Sequence, residues 1–200
     1  SDAAAADPLA VQAQDQLAAN QGSVILANNK LVRTGTGDID IAAGRDVVLS
    51  NQKSVIYTAG TKLPGNLDNF TAPSSSVYAN RGGDIHINAQ HDIKSAPSDQ
   101  LITDWLYRQG KSNKDGTLAI NTSWWPVAKS FEQGVAALGG GDISVHAGNN
   151  IENLSASIPT SGRLPVKVGE APNLSALDLQ GGGDLFVSAG NDIKSGVFYV

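Results

Sequence analysis

Four aspartates carry the most obvious chemistry in this chain: Asp38, Asp84, Asp142 and Asp184, each placed directly after a glycine. A carboxylate recurring beside a glycine turn invites a calcium reading, because Gly-Gly-x-Gly-x-Asp repeats hold Ca²⁺ between stacked coils. The spacing does not fit that loop: the Asp follows the glycine directly, and no second Asp returns at a nonapeptide period. The bland alternative is that each carboxylate accepts N–H groups of its turn, as Asx residues do. A stacked row of carboxylates would repel itself without such donors. The residue types therefore imply no metal site.

Acid–base chemistry of the polysaccharide-cleaving kind needs two carboxyl groups converging on one bond. The positions that would face outward near the aspartates are Asp40, His86, Ser144 and Phe186, then Ala42, Asn88, His146 and Ser188. These hold no carboxylate pair on neighbouring copies. His86 and His146 would lie about 8 Å apart diagonally, too far to share a metal at bonds of ~2 Å. The glycine-rich turns precede strand-like runs rather than helices, so they are no phosphate loop. A catalytic role and a cofactor are both expected to be absent.

The aromatic residues are the other candidates. All three tryptophans, Trp105, Trp124 and Trp125, fall between Ala96 and Gly134, together with Tyr107 and Phe131. Aromatic faces stack on sugar rings and dominate interface hot spots, so these five residues are candidate contacts for a receptor or glycan. The competing role is packing. Pro97 to Gly110 reads as a helix capped by Ser98, with Leu101, Ile102, Trp105 and Leu106 on one face. A helix of that length is unstable alone, so the rings are first expected to dock the insertion onto a neighbouring surface.

The elements that must position these residues come from a repeat. The segment GDIDIAAGRDV at Gly37 returns as GDIHINAQHDI at Gly83, GDISVHAGNNI at Gly141 and GDLFVSAGNDI at Gly183. Aligned, the copies place Ile39, Ile85, Ile143 and Leu185 together, then Ile41, Ile87, Val145 and Val187, then Ala43, Ala89, Ala147 and Ala189. After a corner come Val47, Ile93, Ile151 and Ile193. Alternation at period two with β-branched residues is the pattern of a strand with one buried face. Gly44, Gly148 and Gly190 at the corner suggest a need for positive φ, although Gln90 interrupts the series. Further strand-like runs are Leu31–Thr34, Val77–Asn80, Val135–Leu138 and Leu177–Gln180 before the copies, and Ser54–Thr58, Thr117–Ile120 and Leu164–Val168 after three of them.

The copies start 46, 58 and 42 residues apart, so the core length is constant and the surplus lies in connections. That is how a solenoid behaves when insertions leave its corners. The expectation is an all-β chain: a right-handed parallel β-helix of about four rungs over 23–200. Insertions are expected at about 62–76, 96–133 (helical and Trp-rich) and 155–176. Residues 1–22 would form a tail and helix, from Asp7 as cap and Pro8 at the first helical position to Gly22 beyond the end. A sandwich of antiparallel hairpins is the alternative, but it has no need of like residues stacked on like.

Composition agrees with a turn-rich, polar-surfaced chain: 200 residues, 22 of them glycine, with only 16% charged, where about 25% is usual. A net charge of −5 with scattered basic residues argues against a nucleic-acid partner. The absence of cysteine excludes disulfides and thiolate metal sites. No apolar run approaches the ~18–20 residues of a membrane span. The N-terminus lacks the basic start and apolar core of a signal peptide, so the sequence is expected to be a piece of a longer protein.

The run VRTGTGDIDIAAGRDVVL, followed by SVIYTAG, resembles the repeat region of filamentous-haemagglutinin-type exoproteins. These are the large secreted partners of two-partner secretion systems in Gram-negative bacteria. The resemblance is tightest over 31–60, clear over 77–95, 135–154 and 177–195, and absent from the connections. It implies a β-helical shaft exported through an outer-membrane transporter, then displayed at the bacterial cell surface or released. It also implies adjoining coils of the same parent chain, and a host-cell or bacterial-surface receptor or glycan as contact. Such proteins act as adhesins, or as stalks for a toxin tip in contact-dependent inhibition. A polysaccharide-processing β-helix, with the Trp-rich insertion as a groove wall, is the enzymatic alternative.

Overall fold

The structure, a computed structural model, describes residues 22–62, 66–67, 70–71, 79–164 and 167–200. The helix expected within residues 1–22 lies outside them save for Gly22, as does most of the 62–76 connection. The described chain is all-β, its only helical pieces being the short 3-10 turns Ile102–Asp104, Ala128–Ser130 and Leu174–Ala176. None of these is long or apolar enough to cross a membrane.

Three parallel sheets hold most of the described strands. The repeat sheet holds Ile39–Ala43, Ile85–Ala89, Ile143–Ala147 and Leu185–Ala189, paired in chain order. Its register sets Ile85 against both Ile39 and Ile143, and Ile143 against Leu185, so like residues stand over like as the repeat requires. The corner sheet holds Val24–Leu26, Val47–Leu49, Ile93–Ser95, Ile151–Glu152 and Ile193–Lys194. The third sheet holds Leu31–Thr34, Val55–Thr58, Val135–Ala137, Ala156–Ser157 and Phe198–Tyr199. From Leu31 onward the chain passes from third sheet to repeat sheet to corner sheet and round again. Of the strand-like runs expected beside the repeat copies, Leu31–Thr34, Ser54–Thr58 and Val135–Leu138 thus fall in one sheet, whereas Ala79–Asn80 pairs antiparallel with Thr61–Lys62.

The inward columns meet in one apolar cluster that includes Ile39, Val47, Ile56, Ile85, Ile93, Val135, Ile143 and Ile151. Burial of each such side chain contributes about 1.5–3 kcal/mol. The corner glycines correct one expectation. Gly44, Gly148 and Gly190 are not among the residues with positive φ. A Cβ on Gly148 would lie 2.1 Å from the Gln90 carbonyl oxygen, and one on Gly190 would lie 2.1 Å from that of Gly148. Close approach of successive turns, rather than handedness of the backbone, requires glycine at 148 and 190, whereas a Cβ on Gly44 would meet nothing nearer than 3.8 Å.

The insertions form a separate layer. The helix expected over Pro97–Gly110 is absent: a single 3-10 turn, Ile102–Asp104, leads into the strand Leu106–Ser112. Asp104 accepts the Leu101 N–H at 2.8 Å and closes that turn after three residues. A tight turn over 113–117 then sends the chain back as Leu118–Pro126, antiparallel to the first strand. The β-branched and aromatic residues of 118–126 offer a ladder that outweighs the weak helical pattern. Thr160–Arg163 and Asp178–Gly181, from the later connection, extend the hairpin into a four-stranded antiparallel side sheet. Two runs expected as strands of the coil, Thr117–Ile120 and Leu177–Gln180, belong to this side sheet. Among the described residues of Leu164–Val168 there is no strand.

Candidate functional site

Five aromatic residues were singled out by the sequence, and the fold separates them. Trp105 and Phe131 lie over the outer face of the third sheet, in a cluster with Val55, Tyr57, Ala136 and Leu138. Trp105 is fully buried, with its ring edge-on to Phe131 at 5.2 Å, and Phe131 is edge-on to Tyr57 at 6.2 Å. The Trp105 indole N–H donates to Gln133 Oε1 at 3.1 Å, and Gln133 Nε2 donates to the Gln100 carbonyl at 2.9 Å. These two rings therefore dock the insertion. Trp125 is also buried, with Tyr107 stacked on it at 6.5 Å. Tyr107 itself stays exposed.

Trp124 differs from the other tryptophans. The side sheet pairs it with Arg108 on one side and Gly162 on the other, and side chains of paired residues share a face. The ring lies on Gly162, where a Cβ would stand 2.3 Å from it, and its N–H donates to Thr160 Oγ1 at 3.2 Å. Trp124 lines a cavity of about 920 Å³ with Arg108, Lys111, Thr122, Thr160 and Tyr199 among its neighbours there. Tyr199 comes from the last strand of the third sheet, in the column that begins with Arg33 and passes through Tyr57, Ala136 and Ser157. The cavity is thus built from both layers of the molecule. Sequence reasoning named Trp124 but missed Arg108, Lys111 and Tyr199, because their convergence depends on the pairing of two distant insertions.

The repeat aspartates do other work. Asp38 Oδ1 accepts the Asp84 N–H at 2.9 Å, Asp84 Oδ1 that of Asp142 at 2.8 Å, and Asp142 Oδ1 that of Asp184 at 2.8 Å. The donors belong to the next turn of the chain rather than to the residue's own turn. A second ladder of the same kind joins Asp46 to Asp92 at 3.0 Å, Asp92 to Asn150 at 3.0 Å and Asn150 to Asp192 at 3.2 Å.

This second ladder contains one cluster with metal-ligand residue types: Asp46, His91 and Asp92, with ligand atoms within 4.8 Å of one another. Their lone pairs are already engaged. Asp46 Oδ1 faces His91 Nδ1 at 3.1 Å as well as the Asp92 N–H, and Asp92 Oδ2 faces the Lys94 ammonium at 2.8 Å. Burial pushes the Asp92 carboxyl up, but Lys94, the Asn150 amide and the Asn149 side chain outweigh it and hold the group at about 2. The same pairing raises Lys94. A resident ammonium group opposes a cation, so the cluster works as a corner clamp. The outward column of the repeat sheet sets Asp40, His86, Ser144 and Phe186 side by side, without a converging carboxylate pair.

No family model, no curated protein and no solved structure matches this chain.

Proposed function

We propose that this chain is a stretch of shaft from a secreted, filamentous-haemagglutinin-type exoprotein, coiled as a right-handed parallel β-helix of about four rungs. It displays its insertions for contact with a cell or surface glycan and carries out no catalysis. The observation that carries this reading is the stacking of like inward residues, Ile39 on Ile85 on Ile143 on Leu185, in parallel register. Coil-on-coil growth gives an elongated body with repeated short turns, on which insertions become the variable surface. Export through an outer-membrane two-partner transporter, display at the bacterial surface and continuation into adjoining coils of a parent chain follow from the same family reading. The side sheet supports the contact role: it is the one described region where a cavity, aromatic faces and cationic side chains meet.

The test is adhesion of the purified chain to host-cell and bacterial surfaces, beside a version in which residues 106–126 are replaced by a short Gly/Ser link. Saturable binding that is lost with the link supports contact through the side sheet. Absence of binding by the parent chain sinks the adhesive reading and leaves a passive stalk. Release of reducing ends from polysaccharides would reverse the non-catalytic reading.

A further inference from the structure

We propose that the cavity beneath the side sheet binds an acidic saccharide, a pyranose carrying a carboxylate, through Arg108, Lys111, Trp124 and Tyr199. The inference rests on the contact reading above and names its ligand class. A volume of about 920 Å³ lies within the ~300–1,000 Å³ of ordinary ligand sites and admits a short oligosaccharide.

Charge selects the ligand's sign. The chain carries a net charge of −5, yet the described residues that line the cavity include two cations and no Asp or Glu. The ion pairs among the described residues engage neither Arg108 nor Lys111. A guanidinium presents a planar fork that matches a carboxylate at two points, while an ammonium adds an adaptable point charge.

The remaining lining selects a sugar over a free anion. The faces of Trp124 and Tyr199 suit the C–H face of a pyranose, since aromatic faces carry partial negative charge. Thr122, Thr160, Gln109 and Ser112 supply hydroxyl and amide groups for ring hydroxyls. Trp124 is held before any ligand arrives, by Gly162 beneath it and Thr160 at its N–H, so little ordering is needed on binding. Two cations are too few for a nucleic-acid backbone.

The experiment is calorimetric titration of the full chain with oligogalacturonate, with its neutral methyl ester and with a sulfated oligosaccharide of similar length. The expected result is saturable binding of the oligogalacturonate that weakens as salt is raised, and at least tenfold weaker binding of the ester. Arg108→Ala should weaken binding about tenfold, the loss expected of a charge-assisted hydrogen bond, and Lys111→Ala about threefold, the loss expected of an exposed charge contact. Trp124→Ala risks loosening the side sheet, so Tyr199→Ala serves as the second aromatic test, with thermal unfolding as the fold control. Equal binding of acid and ester, binding of the sulfated sugar alone, or an Arg108→Ala variant that binds like the parent would overturn the proposal. A chain that adheres to cells but ignores oligogalacturonate also overturns it while leaving the contact reading intact. A chain that binds oligogalacturonate but no cell supports it and removes only the adhesive role.

Discussion

Ile143 and Trp105 are both fully buried, but by different kinds of neighbour. Ile143 sits between Ile85 and Leu185, its counterparts in the turns on either side. Trp105 is packed with Phe131 and Gln133, which belong to the same insertion and have no counterpart in other turns, and clusters with Tyr57 of the third sheet. The repeat thus stabilises itself by copying one solution, and the side layer by assembling an individual one. The first arrangement tolerates surplus residues at its corners, because every turn brings its own partners. The second depends on particular pairs that a single substitution removes.

The largest effect should follow from breaking the copied column. Ile143→Asp buries a carboxylate with apolar neighbours on both sides, a change costing more than about 4 kcal/mol. Urea denaturation followed by circular dichroism should show loss of the cooperative transition. A midpoint within error of the parent would mean that the column is not the continuous core described.

Removing the anchor of the side layer comes next. Trp105→Ala should cost about 3–5 kcal/mol, the usual range for a buried tryptophan. The comparison predicts that the loss is local. Amides of Leu106–Trp125 should exchange much faster, while those of Ile85–Ala89 keep their protection. Equal loss in both would show the two layers to be one cooperative unit.

The same division explains how much could be read from the sequence. The inward columns were legible because a period-two pattern of aliphatics returned four times, and each copy corroborated the others. The third sheet was legible at Val55–Thr58, which is rich in β-branched and aromatic residues, but not at Ala156–Ser157, a two-residue strand held by its parallel neighbours alone. Of the side sheet, the first strand and the turn before it were misread as a helix, because Leu101, Ile102, Trp105 and Leu106 do fall at helical spacing. Ile102, Trp105 and Leu106 pack in the cluster of Phe131 and Tyr57, which no local pattern announces, while Leu101 stays exposed. Of the candidate site, Trp124 was visible by residue type alone. Arg108 opposite it and Tyr199 below it are products of tertiary pairing.

A subtler contrast separates two copies of one repeat position. If the corner glycines were needed for positive φ, Gly44→Ala and Gly148→Ala would cost the same. Close approach predicts otherwise. A Cβ at Gly148 meets backbone at 2.1 Å, whereas one at Gly44 finds nothing nearer than 3.8 Å. Gly148→Ala should therefore cost about 1–3 kcal/mol, as overpacking does, and Gly44→Ala within about 0.5 kcal/mol. Thermal midpoints of the two variants decide between the explanations, and equal shifts would revive the conformational one.

The smallest expected effect distinguishes charge from geometry within the ladders. Asp92 and Asn150 occupy the same place in successive turns, and each accepts the N–H of the next. Asp92→Asn should therefore preserve the ladder while removing the pairing with Lys94. The folded-state value of about 2 lies below the ordinary 3.8, so ionised Asp92 stabilises the fold above about pH 4. That contribution is lost as the pH falls toward 2. Lys94 is 44% exposed, and solvent screening keeps the contribution to ~1 kcal/mol. Urea midpoints should separate the parent from Asp92→Asn at neutral pH and converge near pH 2. If the gap persists at low pH, the carboxylate matters for its shape and the asparagine in the next turn is not its equivalent.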